Sequence, residues 1–188
     1  MSDKEYLKYL QNISWKGKLY RNYFLYPLIE KWCKGEVLDL GCGVGNFLKR
    51  NNNFVGVDVN NSCVDYCKAL DLNARKMEID ILPFEANSFD AVVLDNVLEH
   101  IEEPTDLMNE ISRVLNKDGR LIILVPGEKG FEQDDDHKKF YNFSSLSDLS
   151  KRHNFLIEKN SSVPLPFTSK ILSFFCYFVV LMKDCDTR

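Results

Sequence analysis

Residues 37–46 read Val-Leu-Asp-Leu-Gly-Cys-Gly-Val-Gly-Asn, and this stretch decides the fold. A short apolar run of strand composition leads directly into three glycines at alternate positions, and a helical pattern follows. Glycines at such a turn let the backbone reverse tightly and let a ligand approach the amides without interference from a Cβ atom. The stretch therefore predicts a strand, a turn and a helix that together cradle a nucleotide-like ligand.

The spacing of the glycines indicates which kind of ligand. A dinucleotide fingerprint, G-x-G-x-x-G, needs a third glycine where this chain has Asn46, so that motif is not matched. Asp58 ends the next predicted strand, where a carboxylate can accept hydrogen bonds from both hydroxyls of a ribose. The simpler alternative is that the glycines only form a turn and Asp58 caps a helix. The spacing of the glycines and the position of Asp58 together favour a nucleoside ligand that carries no pyrophosphate.

Apolar runs of strand length alternate with helical patterns along the chain, as in a parallel α/β sheet with crossover helices. We expect five parallel strands, at Glu36–Leu40, Phe54–Asp58, Arg75–Glu78, Phe89–Leu94 and Arg120–Val125. Apolar residues that recur at intervals of three and four predict helices, at Leu25–Trp32, Cys63–Leu70 and Leu107–Leu115.

Four residues mark expected ends of these elements. Pro104 suits the first turn of a helix, and Gly119 suits a left-handed exit before the fifth strand. Gly35 is expected to end the N-terminal helix, and Pro27 either opens that helix or kinks it.

The pattern changes after the fifth strand. Residues 126–143 have no clear period and carry many charges, which predicts a long lid loop over a site. Ser145 and Asp148 resemble a capping box for a helix that runs to His153, and a strand is expected from Phe155 to about Lys159.

The C-terminal segment supplies the last expected elements. Tyr177–Leu181 has strand composition, and a strand here would close the sheet. The preceding residues, Ser169–Phe175, are compatible with a short helix, and the sequence leaves open whether the apolar tail is a strand or an interaction helix.

Composition limits the class of protein. The chain has 188 residues, of which 45% are hydrophobic and 28% charged, which is typical of a soluble protein with a single domain over residues 1–188. The net charge of -4 argues against nucleic-acid binding. The first residues lack the apolar stretch of a secretory signal. The longest apolar run, Phe174–Met182, is too short to span a membrane as a helix. The six cysteines form no C-x-x-C pair. We therefore expect reduced thiols and a cytoplasmic location.

Several further segments agree with the glycine turn in their order along the chain: Leu38–Gly45, Gly56–Asp58, Asp80–Phe84, Ser88–Asp90, Val97–Ile101, Glu110–Leu115 and Gly119–Ile123. This ordered set resembles the motifs of class I S-adenosylmethionine-dependent methyltransferases with small-molecule acceptors, the type 11 and type 23-like domains. The resemblance implies a three-layer, Rossmann-like, doubly wound α/β sheet of seven strands with the last strand antiparallel.

The resemblance also implies roles for individual residues. Asp39 and the backbone of Gly41–Gly45 would hold the methionine part of S-adenosylmethionine, and Asp58 its ribose. Asp80 and the amide of Ile81 would hold the adenine. The complete set of implied cofactor-binding residues is Asp39, Gly41, Cys42, Gly43, Gly45, Asp58, Val59, Asp80, Ile81 and Asp95.

Methyl transfer from a sulfonium is a one-step displacement, so it needs alignment and the exclusion of water more than a nucleophilic side chain. A hydroxyl acceptor must also lose a proton, and His100 and His137 are the candidate catalytic residues. His100 could instead only stabilise a turn, and His137 could be a solvated loop residue. His153 is expected to complement a helix dipole.

We predict no metal ion, because the adjacent carboxylates of Asp134, Asp135 and Asp136 cannot easily converge on one ion. Residues 1–34 are expected to form a helical cover over the cofactor, with Arg21 near its carboxylate.

These expectations favour an S-adenosylmethionine-dependent methyltransferase, an enzyme of the EC 2.1.1 class, that releases S-adenosylhomocysteine. The predicted acceptor is a hydroxyl of a small molecule, with a saccharide or a lipid-linked precursor as candidates. A non-catalytic S-adenosylmethionine-binding subunit and an NAD-dependent oxidoreductase are the alternatives. The sequence leaves a homodimer open.

Overall fold

A mixed sheet runs through the centre of the protein. The computed structural model describes residues 2–12, 14–164 and 176–184, and within these the sheet has seven strands in the order β3-β2-β1-β4-β5-β7-β6. The strands are β1 Val37–Leu40, β2 Val55–Asp58, β3 Ala74–Lys76, β4 Phe89–Asp95, β5 Leu115–Pro126, β6 Phe155–Val163 and β7 Cys176–Lys183. Strands β1 to β5 pair in parallel, whereas β7 is antiparallel to both β5 and β6. The predicted α/β sheet with an antiparallel last strand is confirmed.

Helices cover both faces of the sheet. They are α1 Asp3–Gln11, α2 Trp15–Tyr20, a π-helix Arg21–Leu25, α3 Tyr26–Glu30, α4 Asn61–Lys68, α5 Thr105–Val114, α6 Glu128–Phe131 and α7 Phe143–Arg152, with short 3-10 turns at Leu48–Arg50 and Leu98–His100. One apolar cluster joins the sheet to α5 and α7 through Met108 and Leu146. The opposite cluster joins it to α3 and α4 through Ile29 and Val64. These clusters make the three layers that the resemblance implies.

The central strands are buried on both faces, which explains their continuous apolar sequences. All four residues of β1 are buried, and its Leu38 lies opposite Val55 of β2 and Val92 of β4. Parallel strands placed in this way carry their carboxyl ends to one edge of the sheet, where ligand sites of this architecture form.

Four strands differ from the predicted boundaries by two residues or more at one end. Strands β6 and β7 extend to Val163 and Lys183. Strand β3 ends at Lys76, and Glu78 forms an isolated bridge with Ile81 instead of extending the strand. Strand β5 begins at Leu115, which pairs with Phe89 of β4. The register between β4 and β5 then shifts, so that the next residue pair is Ala91 with Arg120. Between these two pairs the residue in the left-handed conformation is Asp118, with φ 61°, and not Gly119 as predicted. Aspartate tolerates this conformation because its short polar side chain can form local hydrogen bonds.

The N-terminal helix is longer than predicted. It runs without a break through α2, the π-helix and α3. Pro27 lies inside this helical stretch, in the first turn of α3. The amide of Tyr26 donates to the Arg21 carbonyl five residues earlier, so the helix widens just before the proline. Gly35, with φ 66°, follows the helix as expected.

The segment predicted as a lid loop contains the short helix α6, and its last residue already belongs to α7. The capping box of α7 is formed by Asn142 and Ser145, so the prediction that used Ser145 and Asp148 was wrong. Both pairs have the spacing of a capping box, and Asn142 Oδ1 accepts from the backbone amide of Ser145 at 3.0 Å. The helix predicted at Ser169–Phe175 lies outside the described residues.

Within the described residues, no helix combines the length and the apolar character that crossing a bilayer requires.

Gly45 tests how tightly the glycine turn is held. Its φ is 67°, and a Cβ atom there would lie 2.6 Å from Leu72 Cδ1 and 2.9 Å from Cys67 Sγ. We expect Gly45→Ala to destabilise the protein by at least about 1–2 kcal/mol, because alanine is strained in this conformation. Urea denaturation measures the change. Gly17→Ala in α2, where the backbone is helical, is the control and should be neutral or stabilising. A Gly45→Ala protein as stable as wild type would contradict the packing described.

Candidate active site

Two adjoining cavities open at the carboxyl ends of the parallel strands. The larger, of about 910 Å³, is bordered by the ends of β1 and β4, by the start of β7 at Cys176, and by residues of α1 and α2. The smaller, of about 460 Å³, lies beside the end of β2. Both cavities are lined by Tyr6, Gly41, Asn96 and His100, so they are parts of one cleft.

The glycine turn forms the wall between them and is tied to strand β2. The amides of Gly41 and Cys42 both donate to the Val57 carbonyl, at 2.8 and 3.0 Å. The Gly43 amide donates to Asp58 Oδ2 at 2.8 Å. These bonds fix the turn at the height of the β2 carboxyl end.

Asp58 is held from two sides. The residue is 6% exposed, and its Oδ1 accepts from the backbone amide of Asn60 at 2.8 Å while Oδ2 accepts from the backbone amide of Gly43. Asn60 in turn caps α4, where its side chain accepts from the Cys63 amide at 3.0 Å. Burial raises the pKa of Asp58, and the two amides oppose that shift. The carboxylate therefore has a fixed orientation at the rim of the smaller cavity.

The residues expected around an adenine are only partly brought together. Val59 and Asp80 line the smaller cavity with Met77 and Ile79. Ile81 lines neither cavity. Its side chain is 60% exposed, and its amide donates to the Glu78 carbonyl at 3.2 Å. The apolar lining from Met77 and Ile79 was missed, because their position beside the cavity depends on the path of the chain after β3.

Asp39 lies in β1 and faces the larger cavity, where it is 4% exposed. Burial, followed by the charges of Asp95 and Asp58, raises its pKa well above the ordinary value. A carboxylate in this position favours a ligand that brings a positive charge or hydrogen-bond donors.

Arg21 and Asp95 form an ion pair across the larger cavity. Their side chains are 26% and 11% exposed, and the Asp95 carboxylate raises the pKa of Arg21. The π-helix begins at Arg21, so the widened helical turn is where this side chain enters the cleft. Sequence reasoning placed each residue near the cofactor, and the structure shows that they contact each other.

His100 and His137 lie together beside a glutamate that sequence reasoning missed. Their ring centroids are 4.8 Å apart, and His137 Nε2 is 3.9 Å from Oε1 of Glu99. Glu99 is 1% exposed, and burial raises its pKa to about 8. Burial also lowers the pKa of His100, which favours its neutral form. All three residues line the larger cavity.

The remaining candidates have different positions. Asp134, Asp135 and Asp136 border the larger cavity, and the Asp136 amide donates to Asp134 Oδ1 at 3.0 Å. His153 follows the end of α7 and lies 3.3 Å from Asn109 Oδ1, and it lines neither cavity.

The raised pKa of Asp39 predicts a specific pH dependence of stability. When the pKa of a carboxyl group is higher in the folded state than in the unfolded state, the free energy of unfolding of the protein falls as the pH rises from the lower pKa to the higher one. Asp39→Asn removes that loss. We therefore expect the variant to gain stability relative to wild type, with a gain that is small near pH 4 and grows as the pH rises. Thermal unfolding across this range measures it, and Asp65→Asn on the exposed surface of α4 is the control. Parallel curves for wild type and Asp39→Asn would contradict this account.

Comparison with known proteins agrees with this geometry. Residues 38–123 match the model of a family described as a methyltransferase domain. An uncharacterized protein of Methanocaldococcus jannaschii is 34% identical in an alignment 142 residues long, which covers 72% of this chain and 61% of that protein. The ubiquinone biosynthesis O-methyltransferase of Coxiella burnetii is 28% identical in an alignment 127 residues long, which covers 62% of this chain and 47% of the enzyme. The chain thus covers about half to three fifths of the length of these relatives.

A solved structure extends the comparison to the whole fold. The crystal structure of a SAM dependent methyltransferase from Aquifex aeolicus superimposes with a TM-score of 0.71 and 17% identity. The match covers 97% of this chain and 98% of that one. The matched domain and the shared fold agree with the resemblance to class I S-adenosylmethionine-dependent methyltransferases that the sequence motifs carry.

Proposed function

We propose that the protein transfers a methyl group from S-adenosylmethionine to a hydroxyl oxygen of a small molecule. The observation that carries this proposal is the buried Asp58 carboxylate, which two backbone amides orient at the rim of an apolar cavity. Each carboxylate oxygen has a second lone pair, so both can still accept from a ligand hydroxyl.

The smaller cavity suits the nucleoside part. At about 460 Å³ it lies in the size range of small-molecule sites. Met77, Ile79 and Leu107 give it apolar walls for a base, and Asp58 lies where a ribose would present its two hydroxyls. A pyrophosphate would place negative charge beside this carboxylate, so the site favours a ligand without phosphates.

The larger cavity suits the amino-acid part and the acceptor. Asp39 offers a negative charge to an ammonium group, and Arg21 offers a positive charge to a carboxylate. We infer that Arg21 divides its hydrogen bonds between Asp95 and the ligand, since a guanidinium carries five donors. This arrangement orients the ligand by both of its charged ends.

S-adenosylmethionine, when bound, supplies a methyl group that is already activated by its sulfonium. The chain's own residues therefore have to position the acceptor, exclude water and accept a proton. His100 and His137 are the candidates for the proton because both line the larger cavity. The neutral form of His100, which burial favours, is the form that can act as a base.

Three observations support a small, neutral acceptor that is methylated on oxygen. The larger cavity is bordered by several acidic side chains, which disfavour an anionic acceptor. The net charge of -4 disfavours nucleic acid. The Coxiella burnetii relative is named an O-methyltransferase, which supports oxygen as the target atom. Polyhydroxylated molecules such as saccharides and lipid-linked precursors remain our candidates.

Calorimetric titration tests the role of Asp58. We expect Asp58→Asn to weaken S-adenosylhomocysteine binding by about 1–3 kcal/mol, because an amide cannot accept from both ribose hydroxyls and also satisfy the two backbone amides. Asp65→Asn is the matched control, since Asp65 is exposed on the neighbouring helix. If both variants bind S-adenosylhomocysteine as wild type does, Asp58 has no part in the site.

Product formation tests the reaction. With S-adenosylmethionine and a panel of phenols, saccharides and polyprenyl-linked sugars, we expect S-adenosylhomocysteine and a methyl ether in equal amounts by mass spectrometry. His100→Asn or His137→Asn should lower kcat by about 10²–10⁴, the usual effect of losing a proton-transfer group. His153→Asn, outside the cleft, is the control. Binding of S-adenosylmethionine without any methylated product would favour a non-catalytic subunit, and tighter binding of NAD would favour an oxidoreductase.

A further inference from the structure

The carboxylate of Glu99 lacks the partners that a buried acid needs. Glu99 is 1% exposed, and neither Oε1 nor Oε2 has a hydrogen-bond partner among the described residues. Its backbone is firmly placed, because the amides of Lys138 and Lys139 donate to its carbonyl at 2.8 and 3.1 Å. A buried carboxylate without partners is costly, so the position calls for a cation or a donor that the described residues do not supply.

Two imidazoles face this carboxylate. One nitrogen or oxygen atom from each of Glu99, His100 and His137 can be chosen so that all three lie within 4.8 Å of one another. His137 Nε2 is 3.9 Å from Glu99 Oε1, which is too far for a direct hydrogen bond. The gap between these groups has the donor atoms of a metal site.

The second nitrogen of each ring is already engaged. His137 Nδ1 lies 2.8 Å from the Phe131 carbonyl, and His100 Nδ1 lies 3.3 Å from the Asp136 carbonyl. When each Nδ1 donates its proton to that carbonyl, each Nε2 carries a lone pair. Metal-bound histidines are oriented in this way, by a backbone carbonyl or carboxylate behind the ring. The Phe131 ring also stacks on His137, with centroids 5.2 Å apart, and fixes its plane.

We propose that Glu99, His100 and His137 bind one divalent transition-metal ion. Two imidazoles and one carboxylate are a ligand set for Zn²⁺ and for Fe²⁺, and they leave positions open for other ligands. Ligand distances of about 2.0–2.2 Å require the three atoms to approach by about 1 Å, which side-chain rotation supplies. The set contains too few oxygens for Ca²⁺ or Mg²⁺. This assignment revises the sequence-based prediction of no metal, which considered only Asp134, Asp135 and Asp136.

The open positions face the larger cavity, where the proposed acceptor binds, and this part of the inference rests on the proposed function. An acceptor hydroxyl bound to the ion loses its proton to water more easily, because the cation stabilises the alkoxide. The alkoxide oxygen then forms the new bond to the methyl carbon, and the carbon–sulfur bond breaks with its electron pair on sulfur. The products are the methyl ether, S-adenosylhomocysteine and one proton. This scheme replaces the transfer of the acceptor's proton to His100 or His137, because both histidines hold the ion and water takes the proton.

The test is a titration of the chelator-treated full chain with Co²⁺, without S-adenosylmethionine or acceptor. Calorimetry should give one site per chain, and visible absorption should show nitrogen and oxygen ligands without thiolate charge-transfer bands. Glu99→Gln and His137→Asn should each weaken Co²⁺ binding more than about 100-fold, since each removes a ligand atom.

Two variants serve as matched controls. Glu103→Gln changes a nearby carboxyl that is 78% exposed, and His153→Asn changes a histidine outside the cleft, so both should bind Co²⁺ as wild type does. Thermal unfolding without metal shows that each variant is folded. Absence of saturable binding to wild type, thiolate bands, or equal binding by all variants would overturn the proposal.

The same samples are titrated with S-adenosylhomocysteine to separate the two proposals. Binding of S-adenosylhomocysteine without Co²⁺ binding overturns the metal site alone. Binding of Co²⁺ without S-adenosylhomocysteine supports the metal site and contradicts the proposed function.

Discussion

The connection between the glycine turn and the end of strand β2 is the constraint on which the site depends. Two turn amides donate to the Val57 carbonyl, and a third donates to the Asp58 carboxylate. The side chain of Asp58 thereby joins the ends of two parallel strands, and the glycine turn that it holds lies between the two cavities. Because the turn uses left-handed glycines, the backbone stays close to the cleft and the space remains open to a ligand.

The charges in the cleft follow a common pattern. Asp39 and Glu99 are buried acids whose pKa values burial raises, and Asp95 is neutralised by Arg21. The protein thus places acidic groups in a region that lacks enough cations of its own to stabilise their charged forms. Such an arrangement reduces the stability of the protein. Ligands that bring an ammonium group, hydroxyl groups or a metal ion would offset this cost, because they supply the partners that the buried acids lack.

The fold could be predicted well because its signals are local. Strand composition, helical periodicity and the glycine turn each depend on neighbouring residues, and the strands β1, β2 and β4 lie close to their predicted ranges. Boundaries failed where two local signals were equivalent, as at Ser145, which has capping-box spacing both to Asn142 and to Asp148. The π-helix at Arg21 has no sequence pattern of its own apart from the nearby proline.

The site was predictable where residues lie at strand ends, and less so where it depends on distant contacts. Asp58 follows from the end of its predicted strand, whereas Asp39 and Asp95 were indicated by the resemblance. The Arg21–Asp95 pair joins residues 74 positions apart, and His137 reaches Glu99 only through the path of the loop after β5. Glu99 itself precedes His100 in the sequence, so the Glu-His pair after the fourth strand was the available signal. Its burial could be known only from the fold.

A crystal structure of the protein with S-adenosylhomocysteine tests the central claim most directly. The account predicts both ribose hydroxyls within hydrogen-bond distance of the Asp58 carboxylate, with the adenine against Met77 and Ile79. Ligand density elsewhere, or a ribose that contacts no oxygen of Asp58, would contradict it.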